Sequence, residues 1–119
     1  MASSEIDLTG ILGDYASQVK KQVEEAQDEV AQEAVDALKS ASPRGRSGKY
    51  AKGWAMKREG RAVKVYNKKH YSLTHLLEFG HATRDGGRTR AKVHIAPVEQ
   101  QAIKSFESKV RKAVEDAGR

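Results

Sequence analysis

Between Leu8 and Leu38 the apolar and small residues Leu8, Leu12, Tyr15, Val19, Val23, Ala26, Val30, Ala34 and Leu38 recur at steps of three and four. That spacing lines up side chains along one face of an α-helix. Lys20, Lys21, Glu24, Glu25, Asp28, Glu29 and Glu33 lie between them, and neither Gly nor Pro interrupts the stretch after Gly13. The pattern predicts one long helix reaching about residue 40, with Thr9 as its N-cap and Gly10 and Gly13 loosening its first turn. Thirty or so residues at about 1.5 Å each span about 45 Å. A compact chain of 119 residues has a radius of gyration of only about 13–14 Å. The helix is therefore expected to overhang its own domain, and another copy of the chain is the first candidate to cover it.

The remainder of the chain is too short for a second domain, so residues 1–119 are read as one. Residues 41–49 form a basic linker rich in Pro, Gly, Ser and Arg. Residues 50–67 read as a β-hairpin, with Trp54, Met56, Val63 and Val65 on its inner face and a turn at Glu59-Gly60. Residues 70–80 read as a short helix capped by Gly80, a short strand over Leu76–Phe79 being the alternative. Residues 81–93 form a second basic loop. From 94 to 119 come a brief strand at His94-Ile95-Ala96, Pro97 at the first helical position, and a second amphipathic helix carrying Ile103, Phe106, Val110 and Val114, ending at Gly118. The expected fold class is α+β, a long N-terminal helix and a C-terminal helix packed on a small antiparallel sheet.

Charge is segregated along this framework. Residues 1–40 hold 3 basic and 9 acidic side chains, residues 41–94 hold 14 basic and 3 acidic, and residues 95–119 hold 5 basic and 4 acidic. Such blocks serve nucleic-acid binding or the docking of one copy's basic surface on the acidic surface of the next. Against a sequence-specific reader, aromatic residues make up only 6% of the chain and the most regular helix is acidic. Non-specific contact with DNA threading a channel requires only positive charge and stays open.

Catalytic and cofactor chemistry finds no footing. Gly45-Arg46-Ser47-Gly48-Lys49 fails the phosphate-loop spacing, because position 43 is Pro and the residue after the lysine is Tyr50. His70, His75, His81 and His94 crowd the middle of the chain without a His-Glu-x-x-His run. No Gly-x-Ser-x-Gly elbow is present, and the acidic residues sit mostly on the polar face of the long helix. The expectation is no enzyme, no cofactor and no metal. There is no cysteine, no apolar run long enough for a membrane span and no basic-then-apolar leader after Met1, so an intracellular origin is expected.

Gly48-Lys49-Tyr50-Ala51-Lys52-Gly53-Trp54, Val65-Tyr66-Asn67-Lys68, Leu73-Thr74-His75-Leu76-Leu77-Glu78-Phe79-Gly80-His81, Gly86-Gly87-Arg88 and His94-Ile95-Ala96-Pro97 together resemble the tailed-bacteriophage neck or tail-completion family. These are small head-tail joining proteins typified by the gene-ten product of a lambdoid phage. The resemblance covers about residues 42–100. Val93 departs from the proline often found before His-Ile in that family.

The resemblance implies a structural virion protein without catalysis, made in the host bacterial cytoplasm. It would assemble as a homo-oligomeric ring of six between the head-side connector or stopper and the tail terminator or tube. It also implies structural roles, with Leu76, Leu77 and Phe79 as core, and Glu78 and His81 holding the loop that follows. Trp54, Gly80, His94 and Pro97 belong to the same structural motif. Arg44, Arg46, Lys49, Arg84, Arg88, Arg90 and Lys92 are the candidates for contact with a neighbouring subunit or with DNA. A tail terminator ring and a small DNA-binding accessory protein are the alternatives.

Overall fold

The computed structural model describes residues 8–45 and 47–118. Its elements are α1 (Leu8–Ala41), α2 (Lys49–Lys52), β1 (Trp54–Glu59), β2 (Ala62–Asn67), α3 (Leu73–Phe79) and α4 (Ile95–Ala117). The class is α+β, as the sequence predicts. The molecule measures 87 × 21 × 20 Å, with a radius of gyration of 21.1 Å, far above the ~13–14 Å of a compact chain of this length.

The length comes from α1. Its second half buries Ala26, Val30, Ala31, Val35 and Leu38. The hairpin packs on this part, tied by Arg58, whose Nη2 donates to Asp28 Oδ1 at 2.7 Å, and by Gln27 Nε2 donating to the Arg61 carbonyl at 3.0 Å. The other cover is α4, which runs back antiparallel along α1. Ser105 Oγ donates to Glu33 Oε2 at 3.1 Å, and Lys109 Nζ lies 3.0 Å from Glu29 Oε2. The pairing runs on to the buried Ala26 and Ala113, with Gln22 and Asp116 beside them, and the first turns of α1 continue past the end of α4 with Leu8, Ile11, Leu12 and Tyr15 exposed.

The two strands pair antiparallel with Trp54 opposite Asn67, Met56 opposite Val65 and Arg58 opposite Val63. This puts the expected inner-face residues on one side. The turn is Gly60-Arg61, one residue later than expected, and Gly60 has φ 59°, the glycine-first pattern of a type II′ hairpin turn. The core joins Val35 and Leu38 of α1 with Tyr50 and Trp54, and Met56, Val65, Leu77, Ile95 and Val98 pack around them.

Several local expectations need correction. Thr9, Gly10 and Gly13 lie inside α1, so Thr9 is not its N-cap. Tyr50 is not on a strand but on the single helical turn α2, and the hairpin begins at Trp54. His94-Ile95-Ala96 is no strand, since α4 starts at Ile95 and Pro97 is its third residue. On α4, Ile103 and Val114 face outward, and the side turned inward carries Val98, Ala102, Phe106, Val110 and the buried Ala113. Leu76 and Phe79, expected in the core, are exposed at 41% and 69%. Only Leu77 of that trio reaches the core cluster.

Candidate assembly surfaces

The end of the molecule opposite the overhang is fastened by a buried polar cluster. Its centre is Glu78, the one buried side chain of α3. Glu78 Oε1 accepts the backbone N–H groups of His94 at 2.7 Å and Ile95 at 2.9 Å, and Oε2 accepts that of Ala96 at 3.0 Å. These are the donors that the start of α4 leaves without helical partners, and the next residue, Pro97, has no N–H to offer. One carboxylate from a different helix thus closes the account at the positive end of a 23-residue helix. Burial alone would raise the Glu78 pKa, but the three backbone donors outweigh it and hold the carboxyl below its ordinary value.

His94 is itself fully buried. Its Nδ1 faces two acceptors, the Lys92 carbonyl at 2.6 Å and Glu78 Oε1 at 3.1 Å. Geometry therefore assigns the proton to Nδ1, leaving Nε2 to accept from the Tyr50 hydroxyl at 2.8 Å. Burial, and then the charge of Glu78, push the Tyr50 pKa up to about 12, which keeps this hydroxyl a donor. The Tyr50 ring meets Trp54 edge-on at 5.7 Å and His94 at 5.6 Å. Trp54 Nε1 donates to Ser42 Oγ at 2.7 Å, which fixes the chain just after α1.

Asn67 completes the cluster. Its amide donates to the Tyr50 carbonyl at 2.8 Å and its oxygen accepts the N–H of His70 at 3.0 Å. Gly53 lies so close that a Cβ there would stand 2.5 Å from Asn67 Oδ1. Neither Tyr50 nor Asn67 stands out as functional in the sequence. The available signal is a polar residue at an inward position of an alternating strand, where burial demands hydrogen-bond partners.

From this anchor the basic loop, residues 81–93, projects as a small closed turn rather than an open tether. Lys92 N–H donates to the Leu77 carbonyl at 2.7 Å and Thr89 N–H to the His81 carbonyl at 2.8 Å, and Ala82 bridges to Arg88. Thr89 Oγ1 also receives the His81 N–H at 2.9 Å. Asp85 is occupied inside the turn by the Thr83 hydroxyl and the Gly87 N–H. Gly80 is required at the base, because φ is 73° and an added Cβ would come within 2.5 Å of the Thr89 carbonyl oxygen.

Arg84, Arg88, Arg90 and Lys92 are all exposed, and none of the ion pairs among the described residues involves them. Arg44 and Lys49 are exposed beside α2, whereas Arg46 lies outside the described residues. Next to the loop, α3 presents an uncovered apolar face of Leu73, Leu76 and Phe79, continued by Tyr71 and Val93. His75 stacks on Phe79 at 6.4 Å.

Among the described residues, no group of three or more His, Cys, Asp or Glu side chains converges as metal ligation would need, and no helix is long and apolar enough to cross a membrane. The acidic block of α1 is partly spent inside the chain, since Asp28 pairs with Arg58, and Glu29 and Glu33 with Lys109.

In comparisons with known proteins, residues 7–80 match the family model described as "Bacteriophage HK97-gp10, putative tail-component". The match takes in α1, the hairpin and α3, and ends at Gly80, the base of the basic loop. No curated protein matches. No solved structure matches.

Proposed function

We propose, for a chain that belongs to the HK97-gp10-like family of bacteriophage tail components, a place in the neck of a tailed phage. There it serves as a non-enzymatic ring of six copies joining the head-side connector to the tail. The observation that carries this reading is the first part of α1, where Leu8, Ile11, Leu12 and Tyr15 form an exposed helical face that none of the described residues covers. Such a face is stable in water only at a cost, and a repeated contact with a neighbouring copy removes it. The basic loop 81–93 at the far end, held at its base and with Arg84, Arg88 and Arg90 exposed, supplies contacts to an adjacent ring.

Native mass spectrometry of the protein, alone and mixed with its neck partners, tests the ring. A hexamer in either setting supports it, and a strict monomer in every setting defeats it. An electron-microscopy map of the intact particle tests the position in the neck.

A second reading, contact between the basic loop and DNA in the channel, rests on the exposed Arg84, Arg88, Arg90 and Lys92. It predicts DNA affinity that falls steeply with salt and is indifferent to sequence.

A further inference from the structure

An open apolar groove runs along the buried half of α1, between β2 and α4. Ala34 and Leu38 form its floor, Val65 one wall, and Val98, Ala102 and Phe106 the other. Two adjoining cavities of about 420 and about 260 Å³ share Ala34, Val65 and Ala102. The larger is within the ~300–1,000 Å³ range of pockets that enclose a ligand-sized group. The groove is open because the sheet has only two strands and because two small residues, Ala34 and Ala102, face each other across α1 and α4. Lined from Gln27 to Leu38 of α1, it is about 17 Å long at the helical rise per residue.

We propose that this groove receives the N-terminal end of α1, Leu8–Tyr15, of a second copy of the chain. Leu8, Ile11, Leu12 and Tyr15 stand at i, i+3, i+4 and i+7, the anchor pattern of an amphipathic helix lying in an apolar groove. The segment spans about 11 Å along its axis and fits within the groove. Its own groove is out of reach, because anchors and floor belong to one unbroken helix, Leu8–Ala41, whose end points away from the floor. A single contact between copies covers both uncovered surfaces. The contact is heterologous, using different patches on the two partners, and so gives a closed ring or a filament according to the rotation between copies. The proposal rests on the ring reading and adds which surface meets which.

The absence of cysteine makes the test direct. Leu12→Cys and Ala102→Cys are prepared separately in the full-length chain and treated with a short bis-maleimide, alone and mixed, under conditions where the unmodified protein is oligomeric. The mixture is expected to give cross-linked dimers that neither variant gives alone. Equal cross-linking by Leu12→Cys alone means that the helix ends pair with each other and overturns the proposal. Rings that form without any mixed cross-link overturn the groove and leave the ring reading standing, whereas no oligomer, with or without neck partners, removes both.

Ala102→Trp, which fills the groove, and Leu12→Asp, at an exposed position that cannot disturb the core, are each expected to weaken self-association at least tenfold. Melting temperature of the monomer, measured at a dilution where neither protein associates, should be unchanged for Leu12→Asp. Loss of assembly with Ala102→Trp but not with Leu12→Asp assigns the groove to another occupant, such as a partner strand on the free edge of β2, and overturns the proposal.

Discussion

From Ala26 to Leu38, α1 turns its stripe onto the hairpin and α4, and Ala26, Val30, Val35 and Leu38 are buried. From Leu8 to Tyr15 the same three-and-four spacing continues, yet Leu8 and Leu12 are each 63% exposed. The two halves have one periodicity and one continuous backbone, and they differ in what lies opposite. Hydrophobic spacing identifies the face a helix wants covered. It does not identify the cover, which for the second half is the chain's own hairpin and α4, while none of the described residues covers the first half.

Hydrogen exchange of the free protein gives this comparison its widest spread. Amides of Val30–Leu38 should open only near the global unfolding free energy, and those of residues 8–20 at close to zero cost, a difference of several kcal/mol. Equal protection in the two halves would break the comparison. Protection gained only by residues 8–20 on oligomerisation would sharpen it. The exposed Arg44 and Gly45, between α1 and α2, should exchange as fast as the overhang. The second basic loop should divide, with the bonded amides of Thr89 and Lys92 slower than those of Arg88 and Arg90.

Substitution separates the halves next. Leu38→Ala removes a side chain that is only 4% exposed at the centre of the core, and is expected to cost about 2–4 kcal/mol in urea denaturation. Leu12→Ala, on the same face of the same helix, should stay within about 0.5 kcal/mol. A large loss from Leu12→Ala in the monomer would mean that the overhang is covered from within.

The sequence was legible where contacts are local. The helix stripe, the alternation of the hairpin and the Gly80 cap each depend on a few neighbouring residues, and the elements are found where those signals stand. What it hid is non-local or external. Glu78 lies 16 residues from His94, so no capping pattern connects it to α4. Pro97 marks the right turn for the right reason, a missing donor, but with one carboxylate accepting from the three N–H groups before it the helix starts two residues upstream. Leu76 and Phe79 look like core because they are apolar, and they are exposed because α3 has only one side turned inward. The acidic block reads as a docking surface until Arg58 and Lys109 are found on part of it.

Glu78→Gln sharpens the contrast from the polar side, since it weakens the lock on the covered end and touches nothing in the overhang. The amide has one good acceptor oxygen where the carboxylate has two, leaving part of the start of α4 unsatisfied, for an expected loss of about 1–3 kcal/mol near neutral pH. The sign with pH is fixed by the direction of the shift. The carboxyl is held below its ordinary value in the fold, so its contribution is present above the ordinary glutamate range and is lost as pH falls through the lower folded value. The unmodified protein should lose this stability in acid, and the gap between it and Glu78→Gln should narrow there. A gap independent of pH would show that packing, and not charge, explains the loss.

The smallest effect on stability is expected where the effect on assembly is greatest. Arg88 and Arg90 are exposed on a loop whose base is fixed by Gly80, Thr89 and Lys92 and whose only acid, Asp85, is already bonded within the turn. Reversing both to Glu removes no intrachain ion pair among the described residues, so stability should move by no more than about 0.5 kcal/mol and circular dichroism should be unchanged. If the tip docks on an adjacent ring, the reversal places like charges across a register-fixing contact, a penalty of several kcal/mol. The expected outcome is DNA-filled heads and finished tails that do not unite, with self-association through α1 intact. A loop that served only DNA would instead lose salt-dependent DNA affinity and leave joining untouched. Normal infectious particles from the double reversal would remove the loop from assembly and leave the overhang of α1 as the surface through which this chain meets its neighbours.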